Sequence, residues 1–345
     1  MRIVLDGVSL YYHEVASALY YVLGSLYRYH GYRQLELALG TVWDFYFRDG
    51  EPVRFEYCFP GPGATLAQNL FPYHGVEAAW RTESDPDAAW RTVRDRLDRG
   101  EPVVVAVDNF YLPFRPAYQD VHTNHLLVVY GYDEEAGLAY VLDATPPAYK
   151  GPLKLDELAQ ARSSRNPRES DRHMFFTQTP IAGRWLDASF PAAPREVDEP
   201  LLRRVIADNL KRMAMVSQDD GLLLGLAGMR ALGGRLRGLA RRAGEEGAAR
   251  EAEDLTAFIF GRMLGTRAFH ADFLYSAACI LGDPRVRRAA RDLEIAAHGW
   301  VATRIMLGKG SQGDLADMAS RVARRVLGIA DREESACEQL AAVVD

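Results

Sequence analysis

Apolar positions follow two different rhythms along this chain. Up to about residue 180, short apolar runs alternate with turns, and several repeat with the period of two that a half-buried strand shows. From Leu201 the spacing is helical, broken only at glycine-rich stretches. In the first half, Met1 to Leu5 reads as a short strand closed by Asp6-Gly7, and His13 to Tyr29 as a helix with Ala16, Leu19, Tyr20 and Leu23 on one face. Trp43, Phe45 and Phe47 alternate with Asp44 and Tyr46, as in a strand facing a core, and Arg54 to Phe59 alternates again. A short helix over Leu66 to His74 and a strand over Val76 to Arg81 follow. Asp85 is placed to cap an amphipathic helix that runs to Asp98, and Pro102 to Val107 is a continuous apolar run, hence an interior strand. Leu126 to Tyr130 and Leu138 to Leu142 flank a Gly-, Asp- and Glu-rich turn and predict a β-hairpin. Leu155 to Ser163 reads as a short helix, Asn166 to His173 as an exposed loop, and His173 to Phe176 as a last strand.

Residues 181–199 hold Pro191 and Pro194 with little periodicity and are the expected linker. Helices are expected over 201–216, 222–242, 248–264, 268–281, 284–307 and 313–328. The fold class is therefore α+β for residues 1–180, followed by a C-terminal α-helical bundle over 200–345.

The hairpin carries the clearest chemistry. His125 opens its first strand and Asp143 ends its second, so the antiparallel pairing sets a carboxylate beside an imidazole. Such a pair holds a general base in one tautomer. Asp108 ends the Val-rich strand and Tyr111 lies in the turn beyond it; strand ends beside turns commonly carry site residues, and both are candidate substrate contacts. Cys58, among aromatics, reads either as a small buried residue or as a replacement nucleophile reached from another element, and is a candidate substrate contact.

Composition removes several classes. A formal net charge of −6 argues against a nucleic-acid surface. No run reaches membrane-spanning length and no signal-peptide pattern opens the chain, so a cytoplasmic protein with no membrane contact is expected. Three widely spaced cysteines form neither a disulfide framework nor a zinc pattern. His122 and His125 lie three apart in an extended lead-in without a third ligand, and no glycine-rich phosphate loop occurs, so neither a metal nor a cofactor is expected. Arg287, Arg288 and Arg291 form a basic patch, which reads as a solvated helix face or as a surface for an acidic partner.

A histidine heading an apolar strand, Gly131-Tyr132-Asp133 at the turn and an aspartate ending the return strand resemble the second half of papain-like, cysteine-peptidase-like folds. The flanking Asp98-Arg99-Gly100-Glu101-Pro102-Val103, Val107-Asp108, Tyr111-Leu112-Pro113-Phe114 and Leu155 to Ser163 narrow the likeness to the family of the butirosin biosynthesis protein H, over most of residues 1–180. The later half resembles the helical domain that accompanies it. This resemblance implies a papain-like N-terminal domain and an acyltransferase of antibiotic-type biosynthesis. Such an enzyme moves an acyl or aminoacyl group from the phosphopantetheine thioester of an acyl or peptidyl carrier protein to a small-molecule amine acceptor. It also implies a catalytic His125 and Asp143. In the family's pattern a cysteine opens the first helix; this chain has Glu14 there, after His13. The upstream glutamine that supplies an oxyanion donor is missing too, and Ser9 is the nearest polar residue. The expected route therefore omits the cysteine nucleophile and gives Glu14 a part in binding or deprotonating the amine. A hydrolase or cyclase on the same scaffold, and a binding protein that lost its nucleophile, are the alternatives. The oligomeric state stays open, a homo-oligomer included.

Overall fold

The computed structural model describes residues 1–13, 18–48, 73–167, 180–216, 222–259, 264–310 and 313–344. In chain order the elements are β1 (Arg2–Val4), α1 (Ala18–Tyr29), α2 (Leu35–Leu39), β2 (Tyr46–Arg48), β3 (Glu77–Arg81), α3 (Pro86–Asp98), β4 (Val103–Asp108), a 3-10 turn (Asn109–Tyr111), β5 (Asn124–Asp133), β6 (Leu138–Asp143), β7 (Tyr149–Lys154), α4 (Leu155–Ser163) and β8 (Trp185–Ser189). Then come α5 (Glu199–Ala214), β9 (Leu222–Leu224), α6 (Gly225–Arg241), α7 (Ala248–Phe258), α8 (Leu264–Leu281), α9 (Pro284–Gly310) and α10 (Leu315–Val344). The described residues fall into two compact units. One comprises Met1–Leu35 and Gly75–Pro194; the other takes residues 36–48, 73–74 and those from Arg195 on.

The first unit is mixed helix and antiparallel sheet. Its strands run in the order β3-β8-β4-β5-β6-β7, with β1 paired to β5. Val103, Val105 and Val107 of β4 and Leu127 and Val129 of β5 share one face, which buries against Val93 and Leu97 of α3 and Leu158 and Ala161 of α4. The Asp85 carboxylate accepts from Asp87 N–H at 3.1 Å and Pro86 occupies the first turn, so α3 starts where capping chemistry predicts. Apolar spacing then turns Ala89, Val93 and Leu97 to the sheet. α1 packs along β5, and the irregular segment before it runs back over the helix. That return requires Gly24, because a Cβ there would lie 1.9 Å from the Tyr11 ring. A register shift between Val129 and Gly131 interrupts the β5–β6 ladder, and Gly131 admits the backbone of β1, where a Cβ would meet Ile3 O at 2.6 Å.

The second unit is helical apart from the two-stranded pair of β2 and β9 among the described residues. Its core takes Trp43 and Phe45 from the early segment together with Trp300 of α9 and a long apolar stripe of α10. At its centre Arg267 and Glu333, both fully buried, pair at 3.0 Å.

Several expectations are corrected. The proline-bearing stretch 181–199 contains β8, whose Trp185 and Leu186 are buried and which lies between β3 and β4; the two units divide after Pro194. Prolines at 191 and 194 follow that strand and do not interrupt it. Trp43 and Phe45 stand ahead of β2, not in a strand, and pack in the helical unit, not in the first. Asn166 is fully buried, not part of an exposed loop. Leu222 to Leu224 is a strand ahead of α6, and α10 passes through Gly328, where a helical glycine has nothing near it. Residues 14–17, the Arg54 to Phe59 alternation and the strand expected over His173 to Phe176 lie outside the described residues.

Candidate active site

His125 and Asp143 meet because of register. Val128 pairs with Leu142, which sets Asp143 level with Leu127 and diagonal to His125 on the same face. His125 Nε2 lies 2.7 Å from Asp143 Oδ2, and both residues are buried, 7% and 1% exposed. The carboxylate has two further partners. Its Oδ1 accepts from Thr145 N–H at 2.9 Å, and Oδ2 lies 3.3 Å from Arg115 Nη1. Arg115 is itself held by donating to the carbonyls of Thr145 at 2.8 Å and Pro147 at 3.3 Å. Burial pushes the Asp143 carboxyl upward, but the imidazole of His125, the Arg115 guanidinium and the Thr145 N–H together outweigh it and hold the group below the usual carboxylate range. Asp143 is thus an anion at neutral pH. In the neutral ring it holds the proton on Nε2 and leaves the Nδ1 lone pair as the base. Tyr149 faces Asp143 across β7 and stacks on Phe114 with ring centres 4.0 Å apart.

A second histidine–carboxylate pair stands at the adjacent strand end. Asp108 is fully buried; its Oδ2 lies 2.7 Å from His122 Nδ1 and accepts from Ser164 Oγ at 2.6 Å, and its Oδ1 accepts from Phe110 N–H and Thr123 N–H, each at 3.1 Å. Phe110 stacks on the His122 ring at 4.1 Å. Asp108 is occupied by these four groups and ties the end of β4, the lead into β5 and the end of α4 together. Its role is to fix the backbone on which His125 sits: Asp108 pairs with Asn124, and Val107 with His125.

Tyr111 lies in the 3-10 turn and packs against the sheet core, 6.1 Å from the His122 ring. Ser9 is half-buried, next to Val8, whose carbonyl accepts from Lys150 Nζ at 2.6 Å; Ser9 does not hydrogen-bond to His125 or Asp143. Glu14 and Cys58 lie outside the described residues. Arg115 and Ser164 carry no motif in the sequence: one follows an aromatic turn, the other ends a helix 56 positions from the aspartate that it binds. Among the described residues no group of three or more His, Cys, Asp or Glu side chains is placed to hold a metal ion, and no helix is long and apolar enough to cross a membrane.

Residues 20–144 match the family model of the butirosin biosynthesis protein H N-terminal domain, and residues 156–340 match that of a domain of unknown function, DUF4872. The chain belongs to the butirosin biosynthesis protein H-like family. The family takes its name from the making of an antibiotic and is involved in antibiotic biosynthesis. The first match contains His125, Asp143, Asp108 and Arg115, and the second begins within α4, ahead of Ser164. No curated protein matches the chain.

Proposed function

We propose that this protein is an acyltransferase that moves an acyl or aminoacyl group from a carrier-protein thioester to a small-molecule amine, without a covalent acyl-enzyme. The observation that carries the reading is the 2.7 Å contact between His125 Nε2 and an Asp143 carboxylate held ionised by its surroundings. The amine nitrogen attacks the thioester carbonyl, and His125 Nδ1 takes the proton that it sheds. The C–S bond then breaks and the same proton passes to the departing phosphopantetheine sulfur. Atoms and charge balance, and His125 returns to its starting state. Asp143 orients the ring and stabilises the imidazolium in between. Holding donor and acceptor together supplies much of the rate for this intrinsically accessible aminolysis. Glu14, where the family's pattern has cysteine, is the reason to favour direct transfer. A papain-like arrangement is supported by the helix α1 packed on β5 and by the histidine and aspartate on neighbouring antiparallel strands.

The test is single-turnover mass spectrometry with aminoacyl-pantetheine thioesters and amine acceptors. His125→Ala is expected to slow amide formation by about 10²- to 10⁴-fold, the usual range for losing a general base, with unchanged circular dichroism. Equal rates for the variant and the parent would overturn the reading. Release of free acid in place of amide would identify a hydrolase.

A further inference from the structure

Away from His125, a cavity of ≈ 590 Å³ opens between the start of α3, the outer side of α4 and residues 180–183. None of His125, Asp143, Asp108, Arg115 and Tyr111 lines it. Its walls include Pro86, Trp90, Leu158 and Pro180, and into it faces Arg162. This size, and a lining that is apolar over most of its residues and includes one buried charge, are those of small-molecule sites.

Arg162 is 4% exposed. Its Nη1 donates to the Ala89 carbonyl at 3.1 Å and its Nη2 to the Gly183 carbonyl at 3.0 Å. Both acceptors are neutral. Nε has no hydrogen-bond partner, and among the described residues no carboxylate pairs with the group. Of the five N–H bonds of a guanidinium, two are used and three remain. Burial lowers its pKa to about 10, so the group is still a cation at neutral pH. A buried cation without a counter-charge is costly, and folded proteins pair such charges. A purely structural role, clamping the first turn of α3 to the 180–183 segment, accounts for the two carbonyl bonds. It does not account for the uncompensated charge or for the open volume that Arg162 lines.

The surroundings are preformed. Gly183 has φ +56°, and a Cβ on it would lie 2.1 Å from Glu83 O, so the segment is seated closely on the residues before α3. It is also tied to α4 by Gly183 N–H to Arg162 O and Ile181 N–H to Ser164 O, both 2.9 Å. Three carboxylates, Glu83, Asp87 and Asp156, stand among the lining residues against one further cation, Arg165. A dianion such as phosphate would meet that negative border, whereas one negative charge matches the one buried cation.

We propose that this cavity binds an organic monocarboxylate with an apolar body, its carboxylate on Arg162 and its body against Trp90 and Leu158. This site is separate from the His125 pair and does not depend on the reaction assigned to it.

The experiment is isothermal titration of the full chain with 4-phenylbutyrate, its uncharged amide and inorganic phosphate, paired with thermal melts. Phenylbutyrate is expected to bind and raise the melting temperature, with the amide and phosphate each at least about tenfold weaker. Ala159 lines the cavity from the exposed side of α4, so Ala159→Trp should fill the space and abolish binding without lowering the melting temperature of the free protein. Arg162→Gln should equalise acid and amide; should that variant not fold, Ala159→Trp decides alone. The proposal is overturned if acid and amide bind equally to the parent, if phosphate binds more tightly than the acid, if Ala159→Trp binds as the parent does, or if nothing binds at 10 mM, about the weak end of useful small-ligand affinity.

Discussion

Asp143 in the sheet unit and Glu333 in the helical unit are both buried carboxylates beside an arginine, yet they are built to opposite ends. Glu333 is fully enclosed and saturated. Its Oε1 accepts from Arg267 Nε at 3.0 Å and Trp300 Nε1 at 3.3 Å, and its Oε2 from Arg267 Nη2 at 3.0 Å and Trp43 Nε1 at 2.9 Å. Every donor there is permanent, and none can give up a proton at ordinary pH. Asp143 instead takes one of its contacts from an imidazole, the one side chain that exchanges a proton near neutrality, and that ring keeps a second nitrogen. Burial and pairing alone therefore do not mark a reactive site. The mark is a partner whose protonation can change.

The sharpest way to break this contrast is to remove each acid's partner in turn. Glu333→Ala leaves Arg267 buried and uncompensated and frees two indole N–H groups, a loss of about 3–5 kcal/mol for a broken buried pair. Urea melts should show the helical unit collapsing or its midpoint falling far. His125→Ala leaves Asp143 still paired to Arg115 and Thr145 N–H, so its melt should move by much less. Equal losses in the two variants would mean that the His125 pair is structural.

The contrast also sets what was legible in the sequence. The β5–β6 hairpin, α3 with its Asp85 cap and α4 could be read because their signals are local: a period of two, a period of 3.6, a capping residue. His125 and Asp143 were legible for the same reason, since 18 positions and one turn separate them. Glu333 was not, because its partners Trp43 and Arg267 lie 290 and 66 positions away, and nothing in either segment announces the other. The same holds for Ser164 on Asp108. The alternation of Trp43 and Phe45 marks them as core-facing, but the core that they face is assembled from helices far along the chain, and no strand forms over them. β8 was hidden because two prolines just beyond it resemble linker punctuation, while Trp185 and Leu186 owe their burial to strands laid down earlier.

A second comparison, smaller in effect, sets one imidazole against another. His270 in α8 is fully buried, stacks on Trp43 at 5.5 Å and on Phe273 at 5.4 Å, and its Nδ1 lies 2.7 Å from a carbonyl, Gly40 O. Burial pushes its pKa down to about 3. In the unfolded chain the group titrates near 6.5, so between about 6.5 and 3 the unfolded state binds a proton that the native state refuses. The stability that His270 contributes is complete above that window and is lost as pH falls through it, by at most about 1.4 kcal/mol per pH unit. His270→Gln should flatten the acid side of the stability profile by up to that slope. An unchanged slope would show that His270 is protonated in the native protein.

The smallest expected effect tests whether Arg115 belongs with Asp143's chemistry or only with its scaffold. Arg115 Nη1 reaches Asp143 Oδ2 at 3.3 Å but bonds more closely to the carbonyl of Thr145, at 2.8 Å, so a purely structural role would be to shape the turn after β6. Its charge has a second consequence, because it helps hold the Asp143 carboxyl below the usual range. Arg115→Gln can still donate to the Thr145 carbonyl but carries no charge. The Asp143 carboxyl should then titrate at higher pH, read from the chemical shift of its carboxyl carbon. The loss in kcat/KM at neutral pH should be modest, about tenfold or ~1.4 kcal/mol, since Asp143 and His125 remain in contact. A turn-shaping residue would lower the melting temperature without moving that titration. A carboxyl titration that stays in place while the rate falls would therefore assign Arg115 to the scaffold, and leave the His125–Asp143 contact as the whole of the proton-handling unit among the described residues.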